Sequence, residues 1–310
     1  MAANLRRALT WLLAPSVEEG PRSHAFAAVG LRLLAGLLWL YNVSWKHAPD
    51  FGQAQGAGLY RYTKDAVDHP VFAPYSWLVE HLVLPHFLPF AWGVLAAETI
   101  LGVLLLSGAF VRLAAALGVA QSLAIGLSVA LSPGEWPWSY AMMVAIHAVL
   151  LFSASGRFLS VDAVRAEQQE GRVLAWTWGV LGVVAGLVEV VRSAGHPLAA
   201  SGPALVAQKF QIGIGNYNLL GGVVLLVLGA LLVAWAGRRS SRLAFAAVTV
   251  AALAGLSLHA QLGFSDPVLG GSSSSAALFF AFAVVAGCLG FASRDRQQTD
   301  SVLRVEALRS

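Results

Sequence analysis

Cysteine is almost missing from this chain: the one thiol, Cys288, lies inside the last apolar run. That excludes a disulfide framework, a Cys-x-x-Cys redox pair and a thiolate zinc site. Charge is nearly as scarce. Only 12% of the 310 residues are charged, where a soluble domain carries about a quarter. There is no Walker A loop, no strand-coupled Gly-x-Gly-x-x-Gly and no His-x-x-x-His pair, so no nucleotide or metal site is indicated. The net charge of +4 sits on arginines that flank apolar runs, a mark of membrane topology rather than of nucleic-acid binding. Any redox chemistry here needs a bound cofactor, a quinone or a partner subunit.

What the chain has instead is apolar length. Hydrophobic residues make up 57% of it, and several runs approach the roughly 20 residues that cross a bilayer as a helix. The expected fold is an all-α polytopic membrane bundle of about eight transmembrane helices. Segment one covers residues 25–45, segment two 87–107, segment three 111–131 and segment four 138–155. After a polar linker at 165–172 come segments five (173–191), six (217–236), seven (243–262) and eight (276–292). The division is therefore an N-terminal segment 1–24, a four-helix half 25–164, the linker, a second four-helix half 173–293 and a tail 294–310. In the first of these, Arg6 and Arg7 precede a short apolar patch, with Pro15 and two glutamates after it. That pattern favours an interfacial helix over a cleaved signal peptide. The loop 46–85 is rich in glycine and proline, and should fold as short helices on the membrane surface.

Eight crossings put both termini on one side. That side collects nearly all the arginines of the short loops, while the other has Lys46, Arg61, Lys64, Arg192 and Lys209. By the positive-inside rule both termini are cytoplasmic. The halves also look like a weak parallel repeat, since Gly102-Val103-Leu104-Leu105-Leu106 before an arginine turn resembles Gly222-Val223-Val224-Leu225-Leu226 before Arg238-Arg239.

The hairpin 93–117 organises the first half, with Glu98 inside its first arm and Arg112 after its turn. A carboxylate inside an apolar segment should face protein or water rather than lipid. Measured along helices from their expected ends, Arg32, Glu98 and His147 fall at one level near the midplane. Two readings stand side by side. In one, Arg32 and Glu98 form a pair that fixes helix register, and His147 bonds to a nearby carbonyl. In the other, the three form a quinone-binding or proton-transfer site, with Glu98 and His147 as the proton-carrying groups. On the outer surface Lys46, Arg61 and Lys64 are candidates for binding a small anion. In the second half the outer face holds Glu189, Arg192, Lys209, Asn216, Asn218, His259 and Asp266. Asn218 stands where Glu98 does, so this half reads as structural.

Residues 26–162 resemble the DoxX family of bacterial membrane proteins, which includes DoxD, the small subunit of thiosulfate:quinone oxidoreductase. The resemblance is carried by Arg32 with the Trp45-Lys46 ending, by the Glu98-to-Arg112 hairpin and by Trp138-Ser139-Tyr140. The terminus Ser155-Gly156-Arg157-Phe158-Leu159-Ser160-Val161-Asp162 completes it. It implies a four-helix bundle in a bacterial or archaeal plasma membrane and, for the DoxD branch, electron transfer from thiosulfate to membrane quinone beside an extracytoplasmic redox partner subunit. The expected role is thus a membrane subunit of a redox complex. A non-catalytic anchor for redox-stress or sulfur-handling enzymes, and a small-molecule transporter, are the alternatives.

Overall fold

The computed structural model describes residues 2–202, 204–207 and 210–307. Among them, seven helices are long and apolar enough to cross a membrane, and an eighth is shorter but apolar. This is the expected polytopic helical bundle. After α1 (Ala2–Leu13) and α2 (Arg22–Ser44), the first polar loop carries α3 (Gly58–Asp68) and α4 (Ala73–Leu78). From α4 the chain stays helical through a π turn (Val79–Val83) and a 3₁₀ turn (Leu84–His86) into α5 (Phe87–Ser107). Pro85 and Pro89 supply no N–H there, so the i→i−4 ladder slackens across these turns without breaking the run. Then follow α6 (Val111–Val129), the short apolar α7 (Pro137–Phe152), α8 (Val161–Arg165) and α9 (Gly171–Ser193). The second half continues through α10 (Leu219–Arg238), α11 (Ser241–Ala260) and α12 (Ser273–Ala307). One element lies outside the all-helical expectation: β1 (Ala204–Ala207) pairs antiparallel with β2 (Phe210–Gly213) between α9 and α10.

Helices pair in the same order in both halves: α2 with α5 and α6 with α7, then α9 with α10 and α11 with α12. The closest approach is between α9 and α10, where a Cβ at Gly182 would come within 2.9 Å of the Gly229 Cα. Small residues let backbones meet where lipid offers no hydrophobic drive to associate. The largest buried cluster runs through both halves, joining Leu40, Val103 and Leu106 to Leu225, Phe279 and Phe282. At its centre is α12, which packs on α5, α2 and α9. The Ser274 hydroxyl of α12 donates to the Leu40 carbonyl of α2 at 2.8 Å.

Where α5 turns into α6, Gly108 ends the helix at φ 66°, a left-handed conformation that glycine adopts without steric cost. Beside it the Asp162 carboxylate is fully buried. Its oxygens accept the backbone N–H groups of Phe110 and Val111, each at 3.0 Å. Asp162 thus caps a helix whose own N-cap position offers no side-chain bond. Arg165 donates to the same carboxylate at 2.9 Å, and the Asp162 N–H donates to the Gly108 carbonyl at 2.9 Å. The N-terminal segment is sewn onto this end. Ser16 is fully buried and its hydroxyl donates to the Ser153 carbonyl at 2.6 Å. Arg112 pairs with Glu18 and donates to the Trp11, Ala14 and Pro15 carbonyls. Helix polarity puts the arginine-rich connections at this Asp162 end, with Lys46, Arg61, Lys64 and Arg192 at the opposite, Trp45 end. Lys209 lies outside the described residues.

Two predictions follow from this arrangement. In a Cys288→Ala background, a membrane-impermeant maleimide applied to intact cells should label a cysteine placed at Gln53 and spare one placed at Arg239. Equal labelling at both would overturn the assignment of these loops to opposite faces. Replacing Asp162 by Ala should cost about 3 kcal/mol or more, since it strips charge-assisted bonds from two buried N–H groups. Replacing the partly exposed Arg165 by Ala should cost about 1 kcal/mol or less. Thermal unfolding in detergent measures both.

Candidate functional site

At the Trp45 end of the first half the structure builds a buried ion pair. Lys46 follows Trp45, the residue that caps the C-terminal end of α2, and its side chain folds inward. Nζ lies 2.5 Å from Glu98 Oε2 of α5, with side-chain exposures of 2% and 1%. The same ammonium donates to the Asn42 carbonyl at 2.8 Å and lies 4.0 Å from the centre of the Trp45 ring. Across the pair, Gln121 of α6 donates to Glu98 Oε1 at 3.3 Å. Trp45 is held by its bond to Asn42 Oδ1 at 3.2 Å and by an edge contact with Tyr62 of α3. Three elements, the end of α2, α5 and α6, therefore converge on one carboxylate and one ammonium, and α3 packs on Trp45. Burying two charges costs several kcal/mol each, and good geometry with extra hydrogen bonds offsets it. The residues after Glu98 and Gln121, Thr99 and Ser122, are also buried, and neither hydroxyl has a partner among the described residues.

One helical turn further in, Trp39 Nε1 donates to His147 Nε2 at 2.9 Å. Acceptance at Nε2 places the His147 proton on Nδ1, which donates to the Met143 carbonyl at 2.7 Å. Gly118 of α6 leaves room for this ring, since any Cβ there would overlap the imidazole. His147 is thus a neutral histidine with both nitrogens satisfied.

Arg32 is not at this level. Its guanidinium donates to the carbonyls of Ser155 (2.9 Å), Phe158 (3.4 Å) and Leu159 (2.8 Å), next to Gly108 and in the field of Asp162. Glu98 is nearly three turns of α5 away from Gly108, about 15 Å. The expected Arg32–Glu98 pair does not form, and the coplanar triad is corrected to a Glu98–His147 pair of neighbouring levels without Arg32. The reason is helix stagger. Because α5 begins beyond the end of α2, Gly102 packs against Trp39 and Leu40, and Glu98 is carried up to the last turn of α2. Depth measured from Phe87 placed it too far in.

The proposed anion cluster does not converge either. Lys46 faces inward to Glu98, whereas Arg61 and Lys64 are exposed on α3. Lys64 bonds Asp68 at 2.9 Å, which pushes the ammonium above its ordinary range. The residues that sequence reasoning missed are Trp39, Gln121 and the partnership of Lys46. A signal for the last was available: a lysine next to an interfacial tryptophan can direct its stem either way. At the Asp162 end there is a cavity of about 510 Å³, lined by Trp11, Glu18, His24, Arg112, Phe152 and Arg157. Its lining includes Arg112 and Glu18, the pair that ties the N-terminal segment to α6.

Residues 63–188 match the family model described as TQO small subunit DoxD. The resemblance to the DoxX/DoxD family is thereby borne out. The match includes Glu98, Gln121, His147 and Asp162 and runs on into α9; it begins after Arg32, Trp39 and Lys46. No curated protein and no solved structure matches the chain.

The pair can be tested by a double-mutant cycle. Lys46→Met or Glu98→Leu alone should cost about 3–5 kcal/mol, because each leaves a lone buried charge. The double variant should cost less than either single change. Additive losses in detergent unfolding would show that the two charges do not depend on each other.

Proposed function

We propose, from the DoxD match and the buried pair beside it, that this chain is the membrane subunit of a thiosulfate:quinone oxidoreductase-type complex, in which the Lys46–Glu98–Gln121 cluster meets the quinone head group. The observation that supports this reading is an ammonium, a carboxyl group and an amide gathered in a buried site beside the Trp45 ring. This donor set fits a quinone. Lys46 and Gln121 can donate to a carbonyl oxygen, Trp45 offers a ring face, and Glu98 can hold a proton next to that oxygen. Reduction of quinone to quinol takes two electrons and two protons. With a single cysteine, the chain has no dithiol to supply the electrons, so they come from a reductant bound by a partner subunit. Thiosulfate is the reductant that the family description favours. With the arginine-rich Asp162 end in the cytoplasm, the cluster lies close to the outer face, where an extracytoplasmic partner would dock.

His147 enters this reading as a positioning residue. It holds Trp39 by its lone pair, and Trp39 packs on Gly102, one turn along α5 from Glu98. Arg32 takes no part in the site. The satisfaction of both His147 nitrogens favours one second reading, a non-catalytic anchor for sulfur-handling enzymes, in which the pair only fixes the bundle.

The experiment is quinone content and quinone reduction by the complex purified from its native membranes. The wild-type complex should carry quinone. Glu98→Gln should fold and assemble yet lose on the order of a hundredfold in turnover, since the amide keeps the shape but holds no exchangeable acid. His147→Phe should lose less. A folded Glu98→Gln complex that reduces quinone at the wild-type rate would leave the anchor reading.

A further inference from the structure

A second buried carboxylate lies at the Trp45 end, in the other half of the molecule. Glu189, in the last turn and a half of α9, is fully buried, and Ser193, the final residue of the helix, is 3% exposed. Glu189 Oε2 accepts the Ser201 hydroxyl at 2.9 Å. Its other oxygen, Oε1, has no partner among the described residues, and neither has the Ser193 hydroxyl. Residues four apart on a helix share one face, so two unsatisfied, water-excluded oxygens stand one turn apart without bonding to each other. Leaving either unpaired costs free energy, more for the charged one.

The neighbours do not resolve this. Arg192 is exposed and donates to the Gly202 carbonyl at 3.1 Å, so its charge acts on Glu189 through space and leaves Oε1 without a hydrogen bond. Asn218 spends its carbonyl oxygen on the Gly221 N–H and its amide on the Val268 carbonyl. On the far side α10 closes the space with Gly222, where a Cβ would come within 2.9 Å of the Glu189 Cβ. The helix end adds a field of its own. The C-terminal end of α9 carries the negative pole of its dipole, which favours a cation.

We propose that the Trp45 end of α9 holds a small monovalent cation, with sodium as the reference ion, between the Glu189 carboxylate and the Ser193 hydroxyl. Hard cations take oxygen ligands at about 2.4 Å, so an ion can bridge two oxygens that are too far apart to hydrogen-bond. One carboxylate and neutral hydroxyls balance a single positive charge and leave a divalent ion uncompensated. Helix C-terminal ends coordinate sodium in ion-coupled membrane transporters. This site is independent of the quinone reading.

The test uses the full chain in detergent, with sodium chloride exchanged for choline chloride at constant ionic strength. Sodium should raise the melting temperature by several degrees, saturably, because an ion that binds only the folded state stabilises it. Equilibrium dialysis with radioactive sodium should give about one ion per chain. Glu189→Gln, which keeps the shape and loses the charge, should abolish both effects, and Ser193→Ala should weaken binding about tenfold. Equal stability in sodium and choline, with no bound isotope, would mean that water fills the gap and would overturn the proposal. Sodium binding left intact by Ser193→Ala would place the ion elsewhere and overturn it as well. Ser193→Ala removes one hydroxyl at a helix end, so it keeps the test open if the Glu189 variant does not fold.

Discussion

The Asp162 carboxylate is the contact on which the first half depends. Being buried, it has to be satisfied from several directions, and each partner belongs to a different part of the chain: the α5–α6 turn, α8 and the N-terminal segment. A carboxylate accepting backbone N–H groups at a helix start gains both from the hydrogen bonds and from the helix dipole. Arg32 completes the arrangement without touching it, by covering the carbonyls of the 155–159 turn. The run from Ser155 to Asp162, which carries part of the DoxX resemblance, is therefore a structural clasp. Its glycine and serines are fixed by the tightness of the turn, and its aspartate by the bare N-terminus of α6.

With the clasp closing one end, the opposite end can carry polar groups that are not fully used. Charges inside a membrane protein are tolerated when each has a partner, and the two halves treat this differently. In the first half Lys46 and Glu98 neutralise each other beside an amide. In the second, Glu189 has only a serine and keeps one oxygen unpaired. The contrast does not follow from the repeat read in the sequence: Asn218, aligned there with Glu98, caps the start of α10, whereas Glu98 lies within α5.

The bundle itself was legible in the sequence, because an apolar run of membrane length leaves the backbone no alternative to a helix. The positions of the helix ends were nearly as clear, since Gly108, Pro137 and the arginine turns mark them. Depth was not. Arg32, Glu98 and His147 were assigned a common level on the assumption that neighbouring helices start flush. The stagger between α2 and α5 is set by the packing of Gly36 and Gly102 against the facing helix, a tertiary fact that no single segment encodes. The direction of Lys46 was lost for a related reason, as an interfacial lysine has two low-energy choices and the carboxylate that decides between them lies far away in sequence. The strand pair after α9 carries too few residues for an alternating pattern to stand out.

The packing of α12 against α2 and α5 has a consequence for how the protein is made. α12, made long after α2, supplies the centre of the core that α2 also needs. At about 5–20 residues per second, the chain between them takes on the order of tens of seconds to synthesise. For that time the small apolar faces of α2 and α5, and the Leu40 carbonyl that Ser274 will occupy, are open to lipid or to a neighbouring chain. Assembly is therefore a waiting problem, and whatever shields the half-made bundle in the membrane determines the yield of folded protein.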